Sequence, residues 1–194
     1  IRIIGPIMGD TSDGLFAEGV ASSTQIVEQL ERAREDPDIT AVILEINSPG
    51  GSAVASDEIA QEIKLLRSEG IIVVSWIRES GASGAYWIAS STDHIVASRM
   101  SITGSIGVIM HTWNYRGLMN KVGLRPVVYK SGKFKDMLSG EREQGEIPPE
   151  EREMMQSMID QTYARFKSVV AAGRQQSKAQ NKGAGEALIE DWAN

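Results

Sequence analysis

The sequence predicts a single α/β domain, 1–194, with a largely parallel sheet. Three observations carry that expectation. Apolar runs of strand length alternate with stretches of helical period, the pattern of strand–helix–strand units. The central runs, Ala41–Ile46 and Ile71–Trp76, are nearly continuous in apolar residues, which suits strands buried on both faces of a parallel sheet. Each of them ends in a glycine-bearing loop that opens a helix, and ligands bind at the carboxyl ends of such strands.

Taken in order, Ile1–Ile4 reads as a short strand, followed by a Gly/Pro/Asp-rich loop through Gly14. Ser22 stands three residues before Gln25, a capping-box pattern, and Ile26, Leu30 and Ala33 continue it as an apolar helical stripe ending near Asp36-Pro37. After the strand Ala41–Ile46 comes Asn47-Ser-Pro-Gly-Gly51, the strongest turn signal in the chain. Ser52–Glu69 is then helical, with Ala55, Ile59, Ile63 and Leu66 on one face and Gly70 as its stop. The strand Ile71–Trp76 leads into Arg78–Gly84, a loop with Ser83 near its end, and a short helix follows. His94–Ala97, Ile106–Met110 and Pro126–Lys130 read as further strands and Arg116–Val122 as a helix. Ser131–Glu146 is a charged loop. Pro148-Pro-Glu-Glu opens a long helix, its acidic residues suiting the positive end of the helix dipole. Met154, Met158, Thr162, Phe166 and Val169 or Val170 line its expected buried side. From residue 174 to 194 the sequence is a polar tail.

Composition narrows the function. The 194 residues carry a formal charge of −6, which argues against a dedicated nucleic-acid surface, since phosphate binding needs clustered Lys and Arg, so a nucleic-acid partner is not expected. The absence of cysteine excludes disulfides, thiol catalysis and thiolate-bound metal. No metal or organic cofactor is expected. The loop Ser-Pro-Gly-Gly-Ser fits neither a Walker pattern nor G-x-G-x-x-G, which speaks against a phosphate cradle.

The chemistry concentrates in Glu79–Tyr86, E-S-G-A-S-G-A-Y. Small residues around a serine at a strand-to-helix junction let a substrate approach and leave the hydroxyl and the next amide at a helix start, where negative charge is favoured. On its own the stretch reads more simply as a helix cap. A second glycine loop at the same sheet edge changes the balance. Gly51 and Gly84 would each offer a backbone N–H to one oxygen, the pair that an acyl-transfer intermediate requires. A nucleophilic Ser83 also needs a base. His94 and His111 sit in apolar, strand-like settings and read as structural. Lys130, Lys133 and Lys135 cluster in one stretch, and a lysine serves as base when its neutral form is favoured. The spacing alone does not choose among the three.

Four motifs stand in order: N-S-P-G-G-S (47–52), G-A-S-G-A-Y-W-I-A (81–89), T-G-S-I-G-V (103–108) and K-S-G-K-F-K-D-M-L-S (130–139). Together they closely resemble signal peptide peptidase A, a family of bacterial and archaeal Ser–Lys peptidases on the Clp-protease/crotonase fold. The resemblance runs from the first strand to the long helix ending near Gly173. It implies Ser83 as nucleophile, Lys135 as general base, Ser105 as the hydroxyl that orients the lysine, and Gly51 and Gly84 as oxyanion-hole amides. Phe134 and Met137 would bury the Lys135 amine.

The resemblance further implies hydrophobic peptides, such as remnant signal peptides, as substrates, and a ring- or dome-shaped homo-oligomer. The peptidase domain would be extracytoplasmic, the soluble part of a longer protein held at the cell membrane by a segment outside this chain. The chain departs from the family pattern after the long helix, where a segment like A-D-G-R-V-[FW]-T-G is missing before Ala187-Leu-Ile-Glu-Asp191. Two other readings share the fold: a crotonase-type acyl-CoA enzyme, which has no need of a serine–lysine pair, and a catalytically silent scaffold.

Overall fold

A computed structural model describes residues 1–10 and 19–180. Two compact units make up the chain: Ile1–Gly107 together with the residues from Arg165 onward, and Val108–Ala164.

The first unit is built on a parallel sheet. Its strands are β1 (Arg2–Ile4), β4 (Ala41–Ser48), β5 (Ile72–Ala82) and β6 (His94–Ala97), side by side in that order, with β7 (Ile102–Gly104) pairing the far end of β5. Two short strands, β2 (Ile7–Met8) and β3 (Ala21–Ser22), pair with each other. Three helices, α1 (Ser23–Glu35), α2 (Ala53–Ser68) and α3 (Gly84–Ser90), bury Ile26, Leu30, Ile59, Ile63, Leu66 and Ile88 in one cluster with Ile3, Val42, Leu44, Ile46, Val73 and Ile77 of the strands. The local signals explain the helix starts. The Ser22 hydroxyl accepts from Gln25 N–H and caps α1, and Ser52 does the same for α2 with Ala55 N–H.

The central strands are not buried on both faces. Burial alternates along β4 and β5: Val42, Leu44 and Ile46 point into the core, whereas Ile43 is 60% exposed, and Ile72, Trp76 and Val96 are exposed too. The helices cover one face only. On the other face Arg78 lies over the Trp76 ring at 5.7 Å and reaches Glu45 at 3.1 Å. The second correction concerns β5, which runs to Ala82, so Arg78–Ala82 is strand rather than loop. Its pairing with β4 jumps from Ile46–Ile77 to Ser48–Gly81, a bulge that puts extra residues on β5. Ser80 secures the bulge, its N–H donating to Asn47 Oδ1 at 3.2 Å and its hydroxyl to the Ser48 carbonyl at 3.1 Å.

The second unit contains α4 (Arg116–Lys121), a 3-10 turn (Gln144–Glu146) and the first half of α5 (Pro149–Gln180). The strands expected at Ile106–Met110 and Pro126–Lys130 do not form; neither segment has a ladder partner among the described residues. The apolar stripe expected on α5 is only half realised. Phe166 and Val169 are buried, with Phe166 stacked 4.9 Å from the Trp87 ring, but Met154 and Met158 are exposed, and Met155 and Ile159 are the half-buried residues instead. The covered stripe still follows one face, through Glu151, Met155, Ile159, Thr162, Phe166 and Val169 at helical spacing, so in the first half of the helix it lies one position away from the expected methionines. The polar tail expected from residue 174 continues α5 as far as Gln180; the rest of it, with Ala187–Asp191, lies outside the described residues, as does part of the loop through Gly14.

Candidate active site

Ser83 stands alone between β5 and α3, with backbone angles φ 53° and ψ −123°. A residue with a side chain adopts that region only at a cost of order 1–3 kcal/mol, and only where its surroundings enforce it. Here Ser83 N–H donates to the Gly104 carbonyl at 2.8 Å, while its own carbonyl accepts from Tyr86 and Trp87 N–H at 2.8 and 3.0 Å. The turn is thus held from β7 on one side and from α3 on the other. The cap reading fails, because the Ser83 hydroxyl makes no capping hydrogen bond to α3. The hydroxyl is presented on a strained strand-to-helix turn, the geometry of a nucleophile elbow.

The two glycine loops meet at this turn. A Cβ on Gly50 would lie 2.6 Å from Gly84 N and 2.8 Å from Ser83 Cβ, so the loop backbone rests directly on the serine turn. A Cβ on Gly84 would lie 2.3 Å from Ser56 Oγ and 3.3 Å from Gly51 N. No larger residue fits either place. Gly84 is the first residue of α3, where an N–H has no acceptor within the helix. The hydrogen bonds tying the other loop to β2 run from Ile7 N–H to Gly50 and from Ser52 N–H to Ile7, and use no Gly51 N–H. Ser105 follows β7, whose register pairs Gly104 with Ala82, so Ser83 and Ser105 leave adjacent strand ends, both with positive φ. The structure therefore brings Ser83, Ser105, Gly51 and Gly84 to one sheet edge.

His94 pairs with Val74, nine residues back along β5 from Ser83. At about 3.3 Å per residue that is roughly 30 Å away, beyond any proton transfer. His111 lies exposed in the second unit.

Lys135 belongs to the second unit, in a turn where its N–H donates to the Gly132 carbonyl at 3.4 Å. Of the three clustered lysines, two are engaged by carboxylates: Lys130 with Asp136 at 2.6 Å and Lys133 with Glu150 at 2.9 Å. Asp136 is held below the ordinary carboxylate range chiefly by its hydrogen bond from Lys130, and Glu150 by that from Lys133. Lys135 makes no ion pair among the described residues and is exposed. Its expected burial by Phe134 and Met137 is not seen: the Phe134 ring lies 5.0 Å from the Lys133 ammonium instead. The same unit holds a cavity of about 530 Å³, lined among others by Met110, Trp113, Met137, Leu138, Met155 and Ile159. The Arg142–Glu151 ion pair forms part of its wall, with Arg142 Nη1 2.7 Å from Glu151 Oε1.

The structure is thus of the α/β class, a parallel sheet ending in a strained serine turn with two glycine loops packed beside it. The family model for peptidase family S49 matches residues 65–192, and the chain belongs to that family. Among curated relatives, a candidate signal peptide peptidase SppA of Enterococcus faecium is 37% identical over 172 residues, covering 88% of this chain and 49% of its own. Protease 4 of Haemophilus influenzae is 35% identical over 90% of this chain and 28% of that protein. The chain thus spans about half the length, or less, of these relatives. Among solved structures, a point mutant of ClpP1 from Listeria monocytogenes superposes with a TM-score of 0.53 at 16% identity, covering 93% of this chain and 74% of that one. The fold is that of the Clp proteases.

Proposed function

We propose that this chain is the peptidase domain of a serine endopeptidase that cleaves hydrophobic peptides, such as remnant signal peptides. The observation that carries the reading is the strained Ser83 turn, its hydroxyl free of any cap and its flank formed by the Gly51 and Gly84 amides. Lys135 is the base. Of the clustered lysines it alone lacks a carboxylate partner among the described residues, and a carboxylate favours the charged amine, the opposite of what a base needs. Neutral Lys135 takes the Ser83 proton as the hydroxyl oxygen attacks the peptide carbonyl. The resulting oxyanion rests on the two glycine N–H groups, and Ser105 orients the lysine. The lysine ammonium then protonates the leaving amine, and water hydrolyses the acyl-enzyme.

The methionine-rich cavity of the second unit suits apolar side chains of varied shape, which supports hydrophobic substrates. Large exposed apolar residues there, Trp113, Val127 and Tyr129 among them, support a homo-oligomer, ring- or dome-shaped as in the resembled family. Among the described residues no helix is long and apolar enough to cross a membrane. Membrane attachment, with this domain on the extracytoplasmic side, would come from a segment outside this chain.

The test is turnover of a hydrophobic peptide by the full-length protein. Ser83→Ala and Lys135→Ala are each expected to abolish it while leaving the fold intact by circular dichroism. Full activity in either variant would sink the assignment. Ser83→Ala retaining an acyl-CoA reaction would favour the crotonase-type alternative.

A further inference from the structure

The orientation of the Gly51 amide is set by one peptide plane, and the structure shows what pins it. The Gly50 carbonyl and the Gly51 N–H belong to the same peptide unit and, in a trans peptide, point in opposite directions. Ile7 N–H in β2 donates to the Gly50 carbonyl at 2.9 Å, which turns the Gly51 N–H away from β2. On the other side of Gly50, its own N–H donates to Ser48 Oγ at 3.1 Å. Ser48 is wholly buried, and its carbonyl is in turn held by the Ser80 hydroxyl that secures the bulge in β5. Gly50 has φ 94° and no side chain, so without these two anchors its backbone has wide freedom to rotate. A rotated peptide would present a carbonyl where the reaction needs a donor.

We propose that Ser48 is a positioning residue for the oxyanion hole: its buried hydroxyl holds Gly50 N–H and so keeps the Gly51 N–H aimed at the space beside Ser83. This rests on the peptidase reading above. Ser48 touches no substrate, and its effect is confined to the transition state, where the oxyanion exists. Substrate binding is left alone.

The experiment compares Ser48→Ala with Ser48→Cys in the full-length protein, reading Ser83-dependent hydrolysis of a hydrophobic peptide and inhibition by a peptide boronate that mimics the tetrahedral adduct. The cysteine variant leaves no cavity, its sulfur being somewhat larger than the oxygen, but replaces the oxygen with a weak acceptor. Both variants are expected to lose about tenfold to a hundredfold in kcat, the scale of a misplaced or missing oxyanion donor. KM should stay within about twofold, and boronate affinity should fall in parallel with kcat. Unaltered kcat in both variants would overturn the proposal. So would a loss confined to Ser48→Ala, which would mark a packing role, or a rise in KM at constant kcat. Absence of Ser83-dependent turnover in the unsubstituted protein would instead overturn the peptidase reading, and this inference with it.

Discussion

The two units hold themselves together by different means. In the first, an apolar cluster runs from Ile3 through Leu44, Ile63 and Ile88, all fully buried. In the second, Val108–Ala164, no apolar side chain among the described residues is fully buried, and the buried charged residue is Glu151, gripped by Arg142. Ser83 and both glycine amides thus sit on a framework that resists distortion, because closely packed cores have few alternative arrangements. Lys135 is carried by a turn in a unit tied largely by ion pairs among Lys130, Asp136, Arg142 and Glu151. A strained serine turn needs the first kind of support.

Truncating a core residue of the first unit should break the contrast most strongly. Leu44→Ala is expected to cost about 3–5 kcal/mol, whereas Met158→Ala, on the exposed side of α5, should stay within about 0.5 kcal/mol; urea unfolding distinguishes them. Equal losses would mean that the second unit has its own apolar core.

Acid should separate the units next. Glu151, Asp136 and Glu150 are all held below the ordinary carboxylate range, by hydrogen bonds from Arg142, Lys130 and Lys133 in turn. A depressed native-state value means that the stabilisation is complete above the unfolded-state value near 4 and is lost as pH falls through the lower native one. Hydrogen exchange in residues 108–164 should therefore accelerate below about pH 4, before that of the first unit. Glu151→Gln should bring on the same acceleration at neutral pH.

The smallest effect is expected of Lys130→Ala. Its pair with Asp136 is partly exposed and screened by solvent, so the urea midpoint should barely move, and peptide turnover should stay near that of the unsubstituted protein. Loss of turnover as complete as that of Lys135→Ala would reopen the choice of base among the clustered lysines.

Local chemistry was legible in the chain. Ser22 and Ser52 announced their helices because a cap is a contact over three residues, and the strand cores at Ala41–Ile46 and Ile71–Trp76 announced themselves by composition. The glycines at 51 and 84 were also readable, although the reason for them was not. A Cβ at either would strike backbone or a hydroxyl from a distant segment, Ile7 in one case and Ser56 in the other. Where apolar composition was taken as sufficient, expectation and structure part: Ile106–Met110 and Pro126–Lys130 have strand-like residues but no partner among the described residues to complete a ladder, and a strand exists only with one. Met154 and Met158 fit a helical stripe, yet which side of a helix is covered depends on what packs against it.

By itself, then, the sequence determined the α/β alternation, the helix starts and the two glycine loops, since each rests on interactions among near neighbours. Only the tertiary structure decided that Ser83 is a strained turn rather than a cap. That conformation is imposed by Gly104 from another strand and by the Gly50 backbone pressed against it, contacts between residues far apart in the chain.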